Sequence, residues 1–129
     1  MAIYVSNDKT ISFYKGDSGN ITFTGIPKDK NYTVYFAISN PDNSEIIGEE
    51  LIMNSGNKDS VIFTLTSDYT DGIPLDEGCA CAVYRYGLKI CSGNTEYTLI
   101  PEVRIDKGDP EFQNAPKVVV YPKYAEGAL

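Results

Sequence analysis

Four acidic side chains in one short segment are the first candidates for chemistry: Asp68, Asp71, Asp76 and Glu77. Paired carboxylates can hydrolyse glycosides, and several carboxylate oxygens together can bind calcium. The segment around them is built of turn-forming residues, which favours solvated side chains in a loop. The spacing also differs from that of a helix-loop-helix calcium loop. We therefore interpret the four carboxylates as an exposed loop, with calcium binding as the first alternative and catalysis as the second.

The chain contains no histidine. This removes the usual general base near neutral pH and the usual nucleophilic triads. A domain of 129 residues also offers little room for a deep cleft. We expect a protein that is not an enzyme and that uses no cofactor and no metal.

Three cysteines, Cys79, Cys81 and Cys91, are too few for a tetrahedral zinc site in a chain without histidine. Cys79 and Cys81 are too close in sequence for an ordinary disulfide, while a bridge from either one to Cys91 across a hairpin stays open. The odd number, together with the lack of a visible export signal, favours reduced thiols. We expect small, mostly buried apolar side chains.

The tripeptide Lys-Gly-Asp occurs twice, at 15–17 and at 107–109. One interpretation is an adhesive motif, and the other is a glycine in a polar turn. The turn is favoured because glycine adopts turn conformations without needing any other function.

β-Strands must position these residues, because apolar side chains alternate through most of the chain. Turn residues interrupt the alternation about every ten residues, which is typical of a sandwich or a barrel. The pattern predicts strands at 10–14, 21–24, 32–39, 60–66, 79–91 and 95–105. Residues 45–53 are predicted to form a strand pair or an edge strand kinked at Gly48, and residues 68–70 one helical turn.

The overall charge restricts the partners. The net charge is -7 and the predicted pI is about 4.4, so phosphate backbones and anionic membrane surfaces should repel the protein. The sequence shows no apolar run near the roughly 20 residues that a membrane span needs. We expect no nucleic-acid partner and no membrane partner, and the N-terminus shows no signal-peptide pattern.

A change of character near the C-terminus predicts a second region. Residues 106–116 have no periodicity, and the strongly β-prone run 117–121 follows with no obvious partner strand. We predict a sandwich at 1–106 and an extended C-terminal arm at 107–129. The β-prone run either covers the edge of its own sheet or adds a strand to a neighbouring protein, and we favour the role in assembly. The candidate contact residues of the arm are Val118, Val119, Val120, Tyr121 and Tyr124. Deleting 115–129 should then leave a folded monomer that no longer assembles.

Tyrosine is the most unusual component, with 10 residues against 5 phenylalanines and no tryptophan. Tyr84 and Tyr86 share one face of a predicted strand. Aromatic side chains are enriched in interface cores, so these two are further candidates for binding another protein. The alternative is that they belong to the second layer of the sandwich, with the hydroxyl ends of their side chains in water.

Two short motifs resemble those of a known family. Residues 11–19, which contain a strand followed by Lys-Gly-Asp-Ser-Gly, are similar to the opening of small immunoglobulin-like domains in tailed bacteriophages. Residues 75–78, leading into the tyrosine-containing strand at 82–86, resemble a second element of the same domains. The resemblance covers 10–106 and implies an immunoglobulin-like antiparallel β-sandwich without catalytic residues, as in the N-terminal domain of baseplate upper proteins.

The resemblance implies a virion protein that is assembled in the cytoplasm of a bacterial host. Because only an arm follows the sandwich, we expect a capsid decoration or accessory protein docked on the head shell in many copies. Its partners would be the major capsid protein, or baseplate proteins if it is instead a tail component. A carbohydrate-binding module, with exposed tyrosines and calcium in the acidic loop, is the alternative from another functional class.

Overall fold

The computed structural model describes residues 3–40, 45–100 and 116–123. Within these ranges almost all regular structure is β, and the strands pack as sheets, so the expected all-β sandwich is confirmed. The elements are β1 (Tyr4–Val5), β2 (Ile11–Tyr14), β3 (Gly19–Thr24), β4 (Thr33–Ser39), β5 (Ile46–Asn54), β6 (Ser60–Leu65), α1 (Ser67–Asp71), β7 (Ala82–Ser92), β8 (Thr95–Ile100) and β9 (Lys117–Tyr121).

Two sheets of unequal size form the sandwich. The large sheet has the strand order β1-β2-β9-β7-β4-β5, with β8 also paired to β7, and the small sheet consists of β3 and β6. All described pairs are antiparallel except β2 with β9, which run parallel. The expected antiparallel pairing therefore holds for the described strands, with this one pair as the exception.

The alternation in the sequence decides which side of each strand lies inside. In β4, Val34, Phe36 and Ile38 are fully buried, while the residues between them are partly exposed. Phe36 lies at the centre, with its ring centroid 5.7 Å from those of Phe23, Phe63 and Tyr86. Burying one such side chain stabilises the fold by roughly 1.5–3 kcal/mol, so this aromatic cluster joins the two sheets firmly.

The last strand, β9, belongs to the sandwich and lies in the interior of its large sheet. Val118 pairs with Ile11 of β2 on one side and with Tyr84 of β7 on the other. Val118 and Val120 are 0% exposed, as core residues are. The favoured prediction, that 117–121 lacks a partner strand and forms part of an arm, is wrong, because β9 pairs with both β2 and β7. The alternative, that the run joins its own sheet, is closer, although β9 lies in the interior of that sheet and not at its edge.

The strands β8 and β9 lie on the same side of β7, one after the other. β8 pairs with residues 88–92 of β7, and β9 pairs with residues 82–85. Between them, the backbone N–H of Tyr86 donates to the carbonyl of Pro116 at 3.1 Å. The two strands therefore share one edge of β7, and the predicted boundary at 106 does not separate β9 from the sandwich.

The edge strand and the helical turn agree with the sequence pattern. β5 is the end strand of the large sheet, its register with β4 shifts between Phe36 and Ile38, and Gly48 has a φ of 75°. Glycine suits that left-handed conformation because it has no Cβ. α1 begins after Thr66, whose side-chain oxygen accepts a hydrogen bond from the N–H of Tyr69, a typical N-cap.

Candidate interaction surface

The two tyrosines predicted to bind a partner face the inside of the sandwich. Tyr86 is only 3% exposed and its hydroxyl donates to the carbonyl of Lys9 at 2.7 Å. Burial raises the pKa of Tyr86 to about 12, with a smaller contribution from the negative charge of Asp8. Tyr86 is therefore a core residue of the sandwich, as the alternative interpretation had it, but its hydroxyl bonds to the backbone and does not reach water.

Tyr84 holds the corner that leads into β7. It is partly buried, and its hydroxyl donates to the carbonyl of Pro74 at 2.5 Å. Burial raises the pKa of Tyr84, and the charge of Asp76 adds to the shift. The side chain thus connects the start of β7 to the loop after α1, and its ring packs against the hydrophobic core.

The predicted contact residues of the arm divide into three groups. Val118 and Val120 are core residues and have no surface to offer a partner. Val119 and Tyr121 are partly buried on the other face of β9, where the ring of Tyr121 lies 5.3 Å from that of Tyr14. Tyr124 and the remaining arm residues, 107–115 and 124–129, lie outside the described residues.

The acidic loop is exposed, as expected. Asp68 lies in the first turn of α1, and Asp71, Asp76 and Glu77 are all exposed. In the described part of the chain, no three metal-ligating side chains come together. Calcium binding by this loop therefore stays an untested alternative, and the described side chains supply no preformed ligand cluster for it.

The first Lys-Gly-Asp motif is a structural turn held against α1. Gly16 has a φ of 88°, and its N–H donates to Oγ1 of Thr70 at 3.0 Å. The same hydroxyl donates to the carbonyl of Asp17 at 2.7 Å, and Thr70 is fully buried. Nζ of Lys15 donates to the carbonyl of Ile73 at 2.6 Å. The motif closes one end of the sandwich and leaves no free tripeptide there.

The cysteines are free, but two of them are not buried. Cys79 and Cys81 are exposed and precede β7, so the expectation of mostly buried thiols and of a strand beginning at 79 is wrong. Cys91 is partly buried near the other end of β7. At roughly 3.3 Å per strand residue, most of the length of β7 separates it from Cys81, so the bridge that the sequence left open does not form.

The exposed face of the large sheet is the surface that the sequence reasoning missed. Cross-strand neighbours of Tyr35 on this face are Lys89 on β7 and Ile52 on β5. Ile52 is 56% exposed and Val83 on β7 is 43% exposed. We call this face, with Tyr35, Ala37, Ile52, Val83 and Lys89, the outer sheet face. The alternation in 32–39 already indicates that Tyr35 lies on one face of its strand and the core residue Phe36 on the other.

A shallow groove of about 240 Å³ crosses the outer sheet face. Gly87 forms part of its floor, because a Cβ there would lie 3.3 Å from the carbonyl oxygen of Ile100. Nζ of Lys89 lies 5.4 Å from the ring centroid of Tyr35 and 3.6 Å from a carboxylate oxygen of Glu96. Glu50 lines the groove on the side of β5. The groove is thus amphipathic, with an aromatic centre and both charge signs around it.

Comparisons with known proteins do not identify the chain. No protein-family model matches it, and the search of curated proteins finds no significant match. None of the helices in the described ranges is long and apolar enough to cross a membrane.

Proposed function

We propose that this chain is an immunoglobulin-like structural module of a bacteriophage particle, and that it acts by binding other virion proteins. It acts as a capsid decoration or accessory protein on the head shell, with the outer sheet face as the docking surface. The observation that carries the binding role is this face, which combines a half-buried tyrosine, exposed aliphatic side chains and a groove.

The strand arrangement supports the immunoglobulin-like part of the proposal. In that fold one sheet contains strands C, F and G, extended by C′ in variable-type domains, and strands B and E lie in the other sheet. Here β4, β7 and β5 correspond to C, F and C′, and β8 with β9 share the place of G. β3 and β6 correspond to B and E.

Two residues fit positions that are diagnostic of the fold. Immunoglobulin domains often have a tyrosine at the start of strand F whose hydroxyl bonds to upstream backbone, two residues before the core cysteine of that strand. Tyr84 occupies this place through its bond to Pro74, and Tyr86, two residues later, occupies the cysteine position. Phe36 on β4 replaces the usual tryptophan, so an aromatic cluster stands in for the disulfide and tryptophan core.

The placement on a phage particle rests on the sequence resemblance. The segments 11–19 and 75–78 are the motifs that carry it. The turn at 15–17 is bonded to Thr70 of α1, and Lys15 lines one depression together with residues 75–78. A net charge of -7 favours solubility of the protein before assembly. On a repeating shell, many weak contacts of one outer sheet face would add up through multivalency.

Particles produced from the genome that encodes this chain provide the test. We expect quantitative mass spectrometry of purified particles to detect the chain in many copies, and immunogold labelling to mark the heads. Label confined to tails would favour the baseplate alternative. Absence of the chain from purified particles would contradict the virion proposal, and glycan binding that a chelator abolishes would favour a carbohydrate-binding module.

A charge placed on the outer sheet face tests the docking surface separately. Tyr35→Glu should abolish incorporation into particles, because it buries a carboxylate in the proposed contact. Ile62→Glu is the control, since Ile62 is 50% exposed on the small sheet. Equal incorporation of the two variants would show that the outer sheet face is not the docking surface.

A further inference from the structure

We propose that the free edge of β5 pairs with β5 of a second copy and forms a symmetric dimer with one continuous sheet. This proposal does not rest on the phage assignment, since it concerns only how two copies of the chain associate. It starts from a nine-residue strand that has a partner, β4, on one side only among the described strands.

The directions of the backbone groups on β5 follow from one hydrogen bond. The N–H of Ser55 donates to the carbonyl of Tyr32 at 2.8 Å, so the backbone polar groups of Ser55 are directed toward β4. In an antiparallel ladder successive residues point alternately toward the partner and away from it. Asn54, Ile52 and Glu50 therefore direct their N–H and C=O groups away from β4, to the outside of the sheet.

A two-fold axis at Ile52 matches these outward groups with each other. In antiparallel self-pairing about Ile52, this residue faces its own copy, and Glu50 faces Asn54 of the second chain. All three outward residues then meet outward residues, and each such pair exchanges two backbone hydrogen bonds. An isologous contact of this kind closes after two copies and does not continue into a fibre.

The charges and side chains fit the same register. Glu50 meets the neutral amide of Asn54 and not another carboxylate, so no like charges lie directly opposite. Ile52 is 56% exposed and Met53 is 43% exposed in the single chain. Pairing about Ile52 would bring the two Ile52 side chains together beside the two Tyr35 rings on one face. The rest of the edge is blunted against other registers by the kink at Gly48.

A proline at the centre of the contact tests the proposal in the full-length chain. Ile52→Pro removes an outward N–H and leaves the bonds of β5 to β4 in place, so the fold should persist. Ile52→Val is the matched control, since it keeps the N–H and the β-branched side chain. We expect sedimentation velocity to show a concentration-dependent dimer for the original chain and for Ile52→Val. Ile52→Pro should weaken the dimer by at least about tenfold, because it removes two backbone hydrogen bonds per dimer.

Hydrogen exchange adds a readout that identifies the register. In the dimer, the N–H groups of Ile52 and Asn54 should become protected as protein concentration rises, while those of Leu51 and Met53 are protected throughout by β4. The dimer should also strengthen with added salt, since each copy carries a net charge of -7. A chain that stays monomeric would overturn the proposal, and so would a dimer that Ile52→Pro leaves intact or that leaves Ile52 and Asn54 unprotected. Folding of Ile52→Pro is checked by circular dichroism, and Ile52→Lys, which places two cations at the axis, gives the same test if the proline variant is unfolded.

Discussion

Shortening the valines of β9 tests whether this strand belongs to the core. Val118 and Val120 are 0% exposed, while Val119 lies on the opposite face and is partly buried. A valine-to-alanine change removes about two methylene equivalents, at about 0.8 kcal/mol each. The cavity left behind adds about 1 kcal/mol. Val118→Ala and Val120→Ala should therefore each lower the free energy of unfolding by about 2–3 kcal/mol.

Urea unfolding followed by circular dichroism measures these changes, with Val119→Ala as the matched control. The control should cost about 1 kcal/mol or less, because its methyl groups already contact solvent in part. For a chain of this size, 1 kcal/mol corresponds to roughly 4 °C, so each core variant should unfold roughly 8–12 °C lower. Equal losses for all three valines would refute the placement of β9 and restore the arm interpretation.

Truncation extends the same reasoning. Deleting 115–129 removes the strand between β2 and β7, so both would lose their partner on one side. We expect the truncated chain to lose cooperative unfolding, which is the opposite of the folded monomer that the sequence alone predicts. A truncated chain with a sharp thermal transition near that of the full chain would contradict the structure.

Three further predictions concern the buried tyrosines, the turn at 15–17 and the edge strand β5. Burial is the main reason that the pKa values of Tyr69 and Tyr86 rise from 10.0 to about 12. The folded state therefore keeps both protons up to a higher pH than the unfolded state does, and stability should fall as pH rises from about 10 to 12. Chemical denaturation of Tyr86→Phe should show a smaller loss of stability over this pH range. Thr70→Val should cost about 1–3 kcal/mol, because it leaves the N–H of Gly16 and the carbonyl of Asp17 without their shared partner, whereas Thr70→Ser should retain most of the stability in the same assay. Gly48→Ala should cost about 1–2 kcal/mol in thermal unfolding, because its φ of 75° strains a residue with a Cβ, and no loss would show that the kink relaxes.

Local patterns in the sequence predicted most of the strands. In β4 and β6 every second residue is a buried apolar one, and both strands form where this period of two places them. The kink of β5 at Gly48 and the helical turn after Thr66 also follow from local signals, because a glycine and an N-cap act within a few residues. These features depend on short-range physics, which a single sequence records directly.

The partner of β9 could not be read from the sequence, because its pairing is not local. Val118 pairs with Ile11, which is 107 residues earlier (118 − 11), and no hairpin or turn marks a parallel pair. The run of valines was a correct signal of a strand, and strands with apolar residues on both faces are typical of sheet interiors. Without the fold, an interior strand and an unpaired arm look alike.

The sequence pattern of β7 indicates which way Tyr84 and Tyr86 face, but the high tyrosine content of the chain favoured an interface instead. Leu88 and Ile90 share their face of β7, while Arg85 and Lys89 lie on the other. Because this face continues into the apolar Leu88 and Ile90, the pattern of the whole strand indicates that the tyrosines face the core. The outer sheet face was harder to recognise, because its exposed side chains come from three strands that only the fold brings together.

Electron cryomicroscopy of intact particles tests the central claim most directly. If the chain binds virion proteins through its large sheet, the density should place the sandwich at the repeating sites of the head shell, with Tyr35 and the groove beside Gly87 in the contact. A particle that lacks this chain, or in which the outer sheet face points into solvent while the small sheet makes the contact, would contradict the account.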